Sequence, residues 1–200
     1  MTTTTDPRVA GARVDGLLVA GGRSRRFGRD KRRALLEGRT LADIAMSKLR
    51  AVVDGDLWVA GAGTFQVSGG AALVDDLDAG AGPLAGIAGG LMRTRRGVLV
   101  LPCDAPLITL DTLSAIVRTA RRSDAVVALR SARGWEPLVA FYPKSAFPQL
   151  AAALREGQRS PHRLLDRLGA IALRVGRTQE TWNVNRIEDL AAAAQIAGRA

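Results

Sequence analysis

The sequence predicts an α/β fold, a three-layer sandwich on a mostly parallel sheet, and three observations carry that prediction. Short apolar runs alternate with segments of helical periodicity. One run, Gly97-Val98-Leu99-Val100-Leu101, is apolar throughout, and the first strand candidate empties into a glycine-rich turn. A strand without polar alternation fits a central parallel strand covered on both faces. The intervening helices supply the crossovers that parallel neighbours need.

Residues 1–13 are polar with no apolar run, so they are expected to be a disordered N-terminal segment, leaving 14–200 as one domain. Residues 14–20 read as a buried strand. The Thr40 hydroxyl can cap a helix in which Leu41, Ile44, Ala45, Lys48 and Leu49 recur at helical spacing. A second strand is expected at 56–60, a turn-rich stretch at 61–70, a short third strand at 71–74 and a loop at 75–82 ending on Gly82-Pro83. Proline suits a first helical position, and Leu84, Ile87, Ala88 and Leu91 then form one apolar face. The fourth strand, 97–101, runs into Pro102-Cys103-Asp104. Beyond it come a helix at 110–122, strands at 125–129 and 136–142, helices at 145–155 and 161–168, a last strand at 170–175 and a C-terminal helix from Ile187.

Composition narrows the function classes. With 200 residues, 47% of them hydrophobic, the chain can bury one sizeable core. Its net charge of +10 comes from 29 basic against 19 acidic side chains, and Lys31, Lys48 and Lys144 are its only lysines. Arginine suits bidentate phosphate contacts. Aromatic residues make up only 4%, and no helix-turn-helix, zinc or RNP signature is present, which argues against nucleic acid as partner. Cys103 is the single cysteine, so an internal disulfide is excluded and a reducing cytoplasm is the expected location. No run of eighteen apolar residues offers a membrane span.

The chemistry is concentrated after the first strand, in Leu18-Val19-Ala20-Gly21-Gly22-Arg23-Ser24-Arg25-Arg26-Phe27-Gly28-Arg29-Asp30-Lys31. Gly21, Gly22 and Gly28 carry no Cβ and can take positive φ, so backbone N–H groups can approach an anion. Arg25, Arg26 and Lys31 can neutralise its charge. A nucleotide polyphosphate is the natural ligand. Neither the P-loop pattern nor GxGxxG is present.

Asp104 follows the fourth strand, at the edge where ligands bind in open α/β sheets. A hard cation such as Mg²⁺ prefers carboxylate and phosphate oxygens and can bridge a triphosphate to the protein. The other reading is an N-cap for the helix starting near Ile108. Asn183-Val184-Asn185 places two amides on one side of an extended segment, where neutral oxygens can complete a hard-metal shell or cap the last helix. Gly82 and Gly86 allow close approach either to a nucleotide or between helix and sheet. Cys103 reads as a small buried filler, and His162 as a surface residue.

Four segments then match one family in order. They are the loop 19–31, Val74-Asp75-Asp76 with Gly82-Pro83-Leu84-Ala85-Gly86-Ile87, Pro102-Cys103-Asp104-Ala105-Pro106, and Asn183-Val184-Asn185-Arg186-Ile187-Glu188-Asp189-Leu190. The chain resembles the molybdenum cofactor guanylyltransferases, whose signature loop is LAGGxSxRMGxDK, here with Val19 for Leu and Phe27 for Met. The resemblance implies a Rossmann-like, GT-A-like nucleotidyltransferase fold. It implies transfer of GMP from GTP to molybdopterin carrying molybdenum, with release of pyrophosphate and Mg²⁺ as cofactor. It places the pyrophosphate-stabilising arginine on Arg26, the nucleotide-binding lysine on Lys31 and the metal ligands on Asp104 and Asn185. Nucleotide contacts fall on Val19, Ala20, Gly21, Gly22, Asp76 and Gly82. It also implies molybdenum-insertion and molybdoenzyme chaperone proteins as partners.

Two departures stand out. Arg186-Ile187 replaces the family's Thr-Pro, and Ala60 stands where many members carry an asparagine that helps hold the nucleotide. The second keeps a cytidylyltransferase or another small nucleotidyltransferase open beside the guanylyl reading, together with a non-catalytic nucleotide- or cofactor-binding adaptor. The Leu84-Ala85-Gly86-Ile87 match favours the guanylyl branch. On the acceptor side, Trp135 and Glu136 are candidates to meet a pterin, with a core tryptophan as the simpler reading.

Overall fold

The computed structural model describes residues 13–21, 27–28, 30–61, 71–75, 82–174 and 178–198. β1 (Asp15–Val19) is followed by a two-residue hairpin, β2 (Leu35–Leu36) and β3 (Arg39–Thr40). Then come α1 (Leu41–Val52), β4 (Leu57–Ala60), β5 (Ala72–Val74), α2 (Pro83–Arg93), β6 (Gly97–Pro102) and α3 (Leu110–Ala120). β7 (Val127–Ser131) and β8 (Gly134–Pro143) form a hairpin, and α4 (Phe147–Arg155), α5 (His162–Arg167), β9 (Ile171–Arg174) and α6 (Glu188–Ala197) complete the chain.

The main sheet has the order β5-β4-β1-β6-β8-β7-β9. β1 is parallel to β4 and β6, and β4 to β5. Only β8 runs against its neighbours, β6 and β7, while β7 and β9 are parallel. The strand order reverses around β1, which leads outward through β4 to β5 and returns to β6 on its other side. In such a sheet the crevice at the strands' C-terminal ends is the ligand site.

Period-two alternation divides the core into two layers. Leu18, Val59, Leu99, Leu101, Val127 and Phe141 meet α1 and α3 on one face. Leu17, Val19, Val98, Val100, Ala128 and Tyr142 meet α2, α4 and α5 on the other. Leu84, Ile87 and Leu91 of α2 are fully buried, each burial contributing roughly 1.5–3 kcal/mol. α2 also lies close to the sheet, since a Cβ on Gly90 would meet the Leu17 side chain at 2.7 Å. That supports close packing as the role of Gly90, and Gly86 is buried on the same helix.

The expected strands and helices are present with shifted ends, whereas the segment expected to be disordered, 1–13, and the turn-rich stretch 61–70 lie almost wholly outside the described residues. The strand expected at 136–142 extends over 134–143, and the helix expected from 145 begins as a 3-10 turn, Lys144–Ala146. The β2–β3 hairpin is an addition to the sequence reading. Its turn, Glu37-Gly38, has φ of 52° and 77°, the paired left-handed conformation that two-residue hairpins require. A third cluster packs Leu36 and Leu41 beside Phe27, Val184 and Ala193. It thereby draws together the end of the glycine-rich loop, the hairpin and the 184 segment.

Candidate active site

β1 and β6 are paired so that Val19 lies opposite Pro102, which brings the start of the glycine-rich loop and the Asp104 turn side by side. Val19 and Ala20 are buried, and the Ala20 N–H donates to the Ala60 carbonyl at 2.9 Å. Gly21 then meets Gly61 at the neighbouring strand end. A Cβ on Gly61 would stand 2.6 Å from the Gly21 Cα and 2.8 Å from its nitrogen, and Gly61 itself has φ 68°. Of the loop glycines described, Gly28 takes positive φ, at 72°, whereas Gly21 is outside that region and serves the close crossing instead. Gly22, Arg26 and Asp76, three of the predicted site residues, lie outside the described residues.

At the far end of the loop, Phe27 is buried in the third cluster, so the apolar residue at this position anchors the loop to the domain. Asp30 caps the 3-10 turn Lys31–Arg33 by accepting from the Arg32 N–H at 3.1 Å. Its carboxylate also receives Arg32 Nε at 2.8 Å and Nη2 at 2.9 Å. Those hydrogen bonds hold the Asp30 carboxyl below the usual aspartate range. Arg32 is therefore engaged within its own turn, with Arg33 more exposed beside it.

The same turn aims Lys31 across the crevice. Its Nζ donates to Asp104 Oδ2 at 2.6 Å, with side chains only 16% and 22% exposed. A lysine after β1 and a carboxylate after β6, 73 positions apart, thus meet at the strand switch point. The capping alternative for Asp104 fails, because α3 is capped by Thr109, whose hydroxyl accepts from the Thr112 N–H. Next to it, burial and the Asp104 charge push the Cys103 thiol up to about 12, so it stays protonated and packs as a filler.

Asn185 reaches the same corner through the backbone, where Val184 N–H donates to the Asp104 carbonyl at 2.8 Å. Asn185 does not cap α6. The Asp189 carboxylate accepts from the Asn185 and Arg186 N–H groups at 2.7 and 2.8 Å. The Asn185 side chain is left exposed beside the Asp104 turn. Asp104 and Asn185 would offer one carboxylate and one amide oxygen to an ion, and among the described residues no group of three His, Cys, Asp or Glu could hold a metal by itself. That fits an oxygen-seeking ion bound jointly with substrate phosphates, as Mg²⁺ usually is, and does not fit a closed protein cage.

α2 begins at this same sheet edge. Gly82, with φ 81°, turns the chain ahead of Pro83 without a side-chain cap, and the N-terminus of a helix favours an anion. Ala60 is fully buried in the α2-side core, so its methyl packs where an amide would need a partner. Trp135 packs on that core too, donating from Nε1 to Asp166 at 2.7 Å with the Arg130 guanidinium 5.0 Å from its ring. Those contacts support the core reading of this tryptophan. His162 is exposed.

The sequence reading passed over a network behind the site. Lys48 donates from α1 to the carbonyl oxygens of Pro106 and, at 2.7 Å, Ile108, pinning the turn that carries Asp104. Burial lowers its pKa to about 8, with Glu180 opposing that shift. Glu180 is itself buried and accepts from the Thr109 and Thr112 hydroxyls at 3.1 and 2.5 Å. The available signal was a lysine inside the apolar stripe of α1.

A mostly parallel sheet with helices on both faces, a glycine-rich loop after β1 and a lysine–carboxylate pair at the switch point are features of an α/β nucleotide-binding protein. Comparison with known proteins agrees. The model of the MobA-like NTP transferase domain matches residues 16–172. The probable molybdenum cofactor guanylyltransferase of Opitutus terrae is 35% identical over 188 residues, covering 87% of this chain and 91% of that protein. The molybdenum cofactor guanylyltransferase of Pseudomonas aeruginosa is 38% identical over 164 residues, 78% and 82% of the two chains. The crystal structure of molybdopterin-guanine dinucleotide biosynthesis protein A from Archaeoglobus fulgidus superposes with a TM-score of 0.77 at 22% identity, covering 94% of this chain and 100% of that one. The chain belongs to the MobA-like NTP transferase family.

Proposed function

We propose that this protein transfers GMP from GTP to molybdopterin carrying molybdenum, giving the guanine dinucleotide form of that cofactor and pyrophosphate. The Lys31–Asp104 pair at the C-terminal ends of β1 and β6 carries the reading, in a chain whose relatives are guanylyltransferases. A phosphate oxygen of the acceptor attacks the α-phosphorus of GTP. The new P–O bond forms as the bond from that phosphorus to the α–β bridging oxygen breaks, and pyrophosphate leaves with the electron pair. Charge spreads over the phosphoryl oxygens, so fixed cations and N–H donors around them lower the barrier.

In this reading the backbone at Val19, Ala20, Gly21 and Gly22 cradles the nucleotide, with Asp76 and Gly82 as further contacts. Lys31 moves from Asp104 to the triphosphate, and Arg26 meets the leaving pyrophosphate. Asp104 and Asn185 hold Mg²⁺, which would neutralise triphosphate charge and orient it for in-line attack. Residues 14–200 act as one catalytic domain in the cytoplasm, passing product to molybdoenzyme chaperone proteins. No helix among the described residues is long and apolar enough to cross a membrane.

The test is pyrophosphate release from each of the four nucleoside triphosphates with Mg²⁺ and molybdenum-loaded molybdopterin. GTP is expected to be preferred at least tenfold. A wrong base leaves buried polar groups unpaired at about 1–3 kcal/mol each. A preference for CTP would reassign the base, and binding without pyrophosphate release would favour the adaptor.

A further inference from the structure

Asp104 and Asn185 sit on segments far apart in the chain, the turn after β6 and the stretch ahead of α6. One backbone bond joins the two segments in front, from the Val184 N–H to the Asp104 carbonyl. A second set of bonds acts from behind. Lys48 on α1 donates to the Pro106 carbonyl and, at 2.7 Å, to the Ile108 carbonyl. Glu180, in the 3-10 turn Thr178–Thr181, accepts from the Thr109 and Thr112 hydroxyls at 3.1 and 2.5 Å, tying the segment that leads to Asn185 onto the start of α3.

These polar ties matter because packing behind the turn is incomplete. Ala105 and Ile108 are buried in the α1–α3 core, yet a cavity of about 570 Å³ runs along residues 106–110, and Lys48 and Glu180 both line it beside Ile196 and Ala197 of α6. Where side chains leave space behind a turn, hydrogen bonds hold its backbone, and bonds with one charged partner are stronger than neutral ones. Opposite charges at buried positions are a poor source of stability, since apolar residues of similar volume often serve as well. Their placement, one on the turn of Asp104 and one on the segment of Asn185, accounts for them as a spacer.

We infer that Lys48 and Glu180 are positioning residues for the nucleotidyl-transfer site, fixing the spacing of the Asp104 carboxylate and the Asn185 amide from the α1–α3 side. The inference rests on the proposed reaction and on the metal role given there to Asp104 and Asn185. Lys48 acts through the backbone of the Asp104 turn, and Glu180 through α3 from the segment bearing Asn185.

The experiment uses the full chain and calorimetry, titrating GTP once with Mg²⁺ and once with a chelator. The ratio of the two Kd values reads the metal's contribution, and in the wild type Mg²⁺ should tighten binding. Lys48→Met and Glu180→Ala are each expected to cut that ratio about tenfold, the usual scale for removing a group that orients a metal ligand, with Kd in chelator changed less than about twofold. Lys48→Arg keeps the charge and the donors and should retain most of the ratio. Thr112→Val removes one Glu180 partner with little change of shape and should act in the same direction as Glu180→Ala. Lys144→Met is the control for general damage. Lys144 also donates to a backbone carbonyl, that of Leu91, but it follows Pro143, which pairs with Gly97 at the other end of β6 from Asp104. That variant should leave the ratio unchanged even where urea unfolding shows lost stability. A wild-type metal effect that survives intact in Lys48→Met and Thr112→Val, or that falls equally in Lys144→Met, overturns the positioning role and leaves the metal assignment standing. No tightening by Mg²⁺ in the wild type takes down both.

Discussion

Gly61→Ala is the sharpest test of the crossing that shapes the nucleotide loop. The substitution adds one methyl group, at a residue with φ 68°, and that methyl would stand 2.6 Å from the Gly21 Cα. Carbon–carbon contacts want about 3.5 Å, so one backbone must yield by about 1 Å. The left-handed conformation alone costs roughly 1–2 kcal/mol for a residue with a Cβ, and overpacking adds roughly 1–3 kcal/mol. Gly157→Ala supplies the control, since φ there is 78° and nothing lies within 4 Å of the added methyl. Urea unfolding should show both variants destabilised, Gly61→Ala by the larger amount. Activity should separate them further. A 1 Å displacement of a positioning loop costs on the order of a hundredfold in rate, so kcat/KM for GTP should fall by about that factor in Gly61→Ala and stay near wild type in Gly157→Ala. Equal kcat/KM values in the two variants would refute the argument that the Gly21–Gly61 crossing sets the loop.

Asp104→Asn should lower kcat about a hundredfold or more while metal-free GTP binding, read by calorimetry, stays within about threefold, because the proposed carboxylate ligand becomes neutral while Lys31 is left in place. Wild-type turnover in that variant would remove Asp104 from the metal site. Lys31→Ala should weaken triphosphate binding, whereas Arg26→Ala should lower kcat more than it raises KM; unchanged constants would remove the residue concerned from the site. Lys48 gives a pH signature. Its folded pKa of about 8 lies below the ordinary 10.5, so the unfolded chain binds more protons between those values and stability rises with pH across that window. Below about pH 8 the burial cost is fully present, on the order of 1–3 kcal/mol. The stability of wild type relative to Lys48→Met should therefore improve from pH 7 to pH 10 in urea titrations, and a pH-independent difference would contradict the buried-lysine account.

Local chemistry made much of this protein legible in its sequence. Apolar runs and helical periodicity depend on neighbours a few residues apart, so the strands, the Thr40 cap and the Gly82-Pro83 helix start could be read directly. The loop's match to a nucleotidyltransferase signature likewise depends on contiguous residues. Side-chain chemistry marked Lys31, Asp104 and Asn185 as candidates but left capping roles open for Asp104 and Asn185. The structure closed those alternatives through other local contacts, because Thr109 caps α3 and Asp189 binds the backbone ahead of α6. The pairing of Lys31 with Asp104 needs β1 and β6 side by side, a contact between residues 73 positions apart that no local pattern encodes. The burial of Lys48 behind the Asp104 turn and the cavity that it lines with Glu180 arise in the same way, from surfaces that meet only when the sheet closes. Sequence specified the chemical groups and their local backbone; the tertiary structure decided which of them face one another, because distance across a sheet depends on strand order and not on separation along the chain.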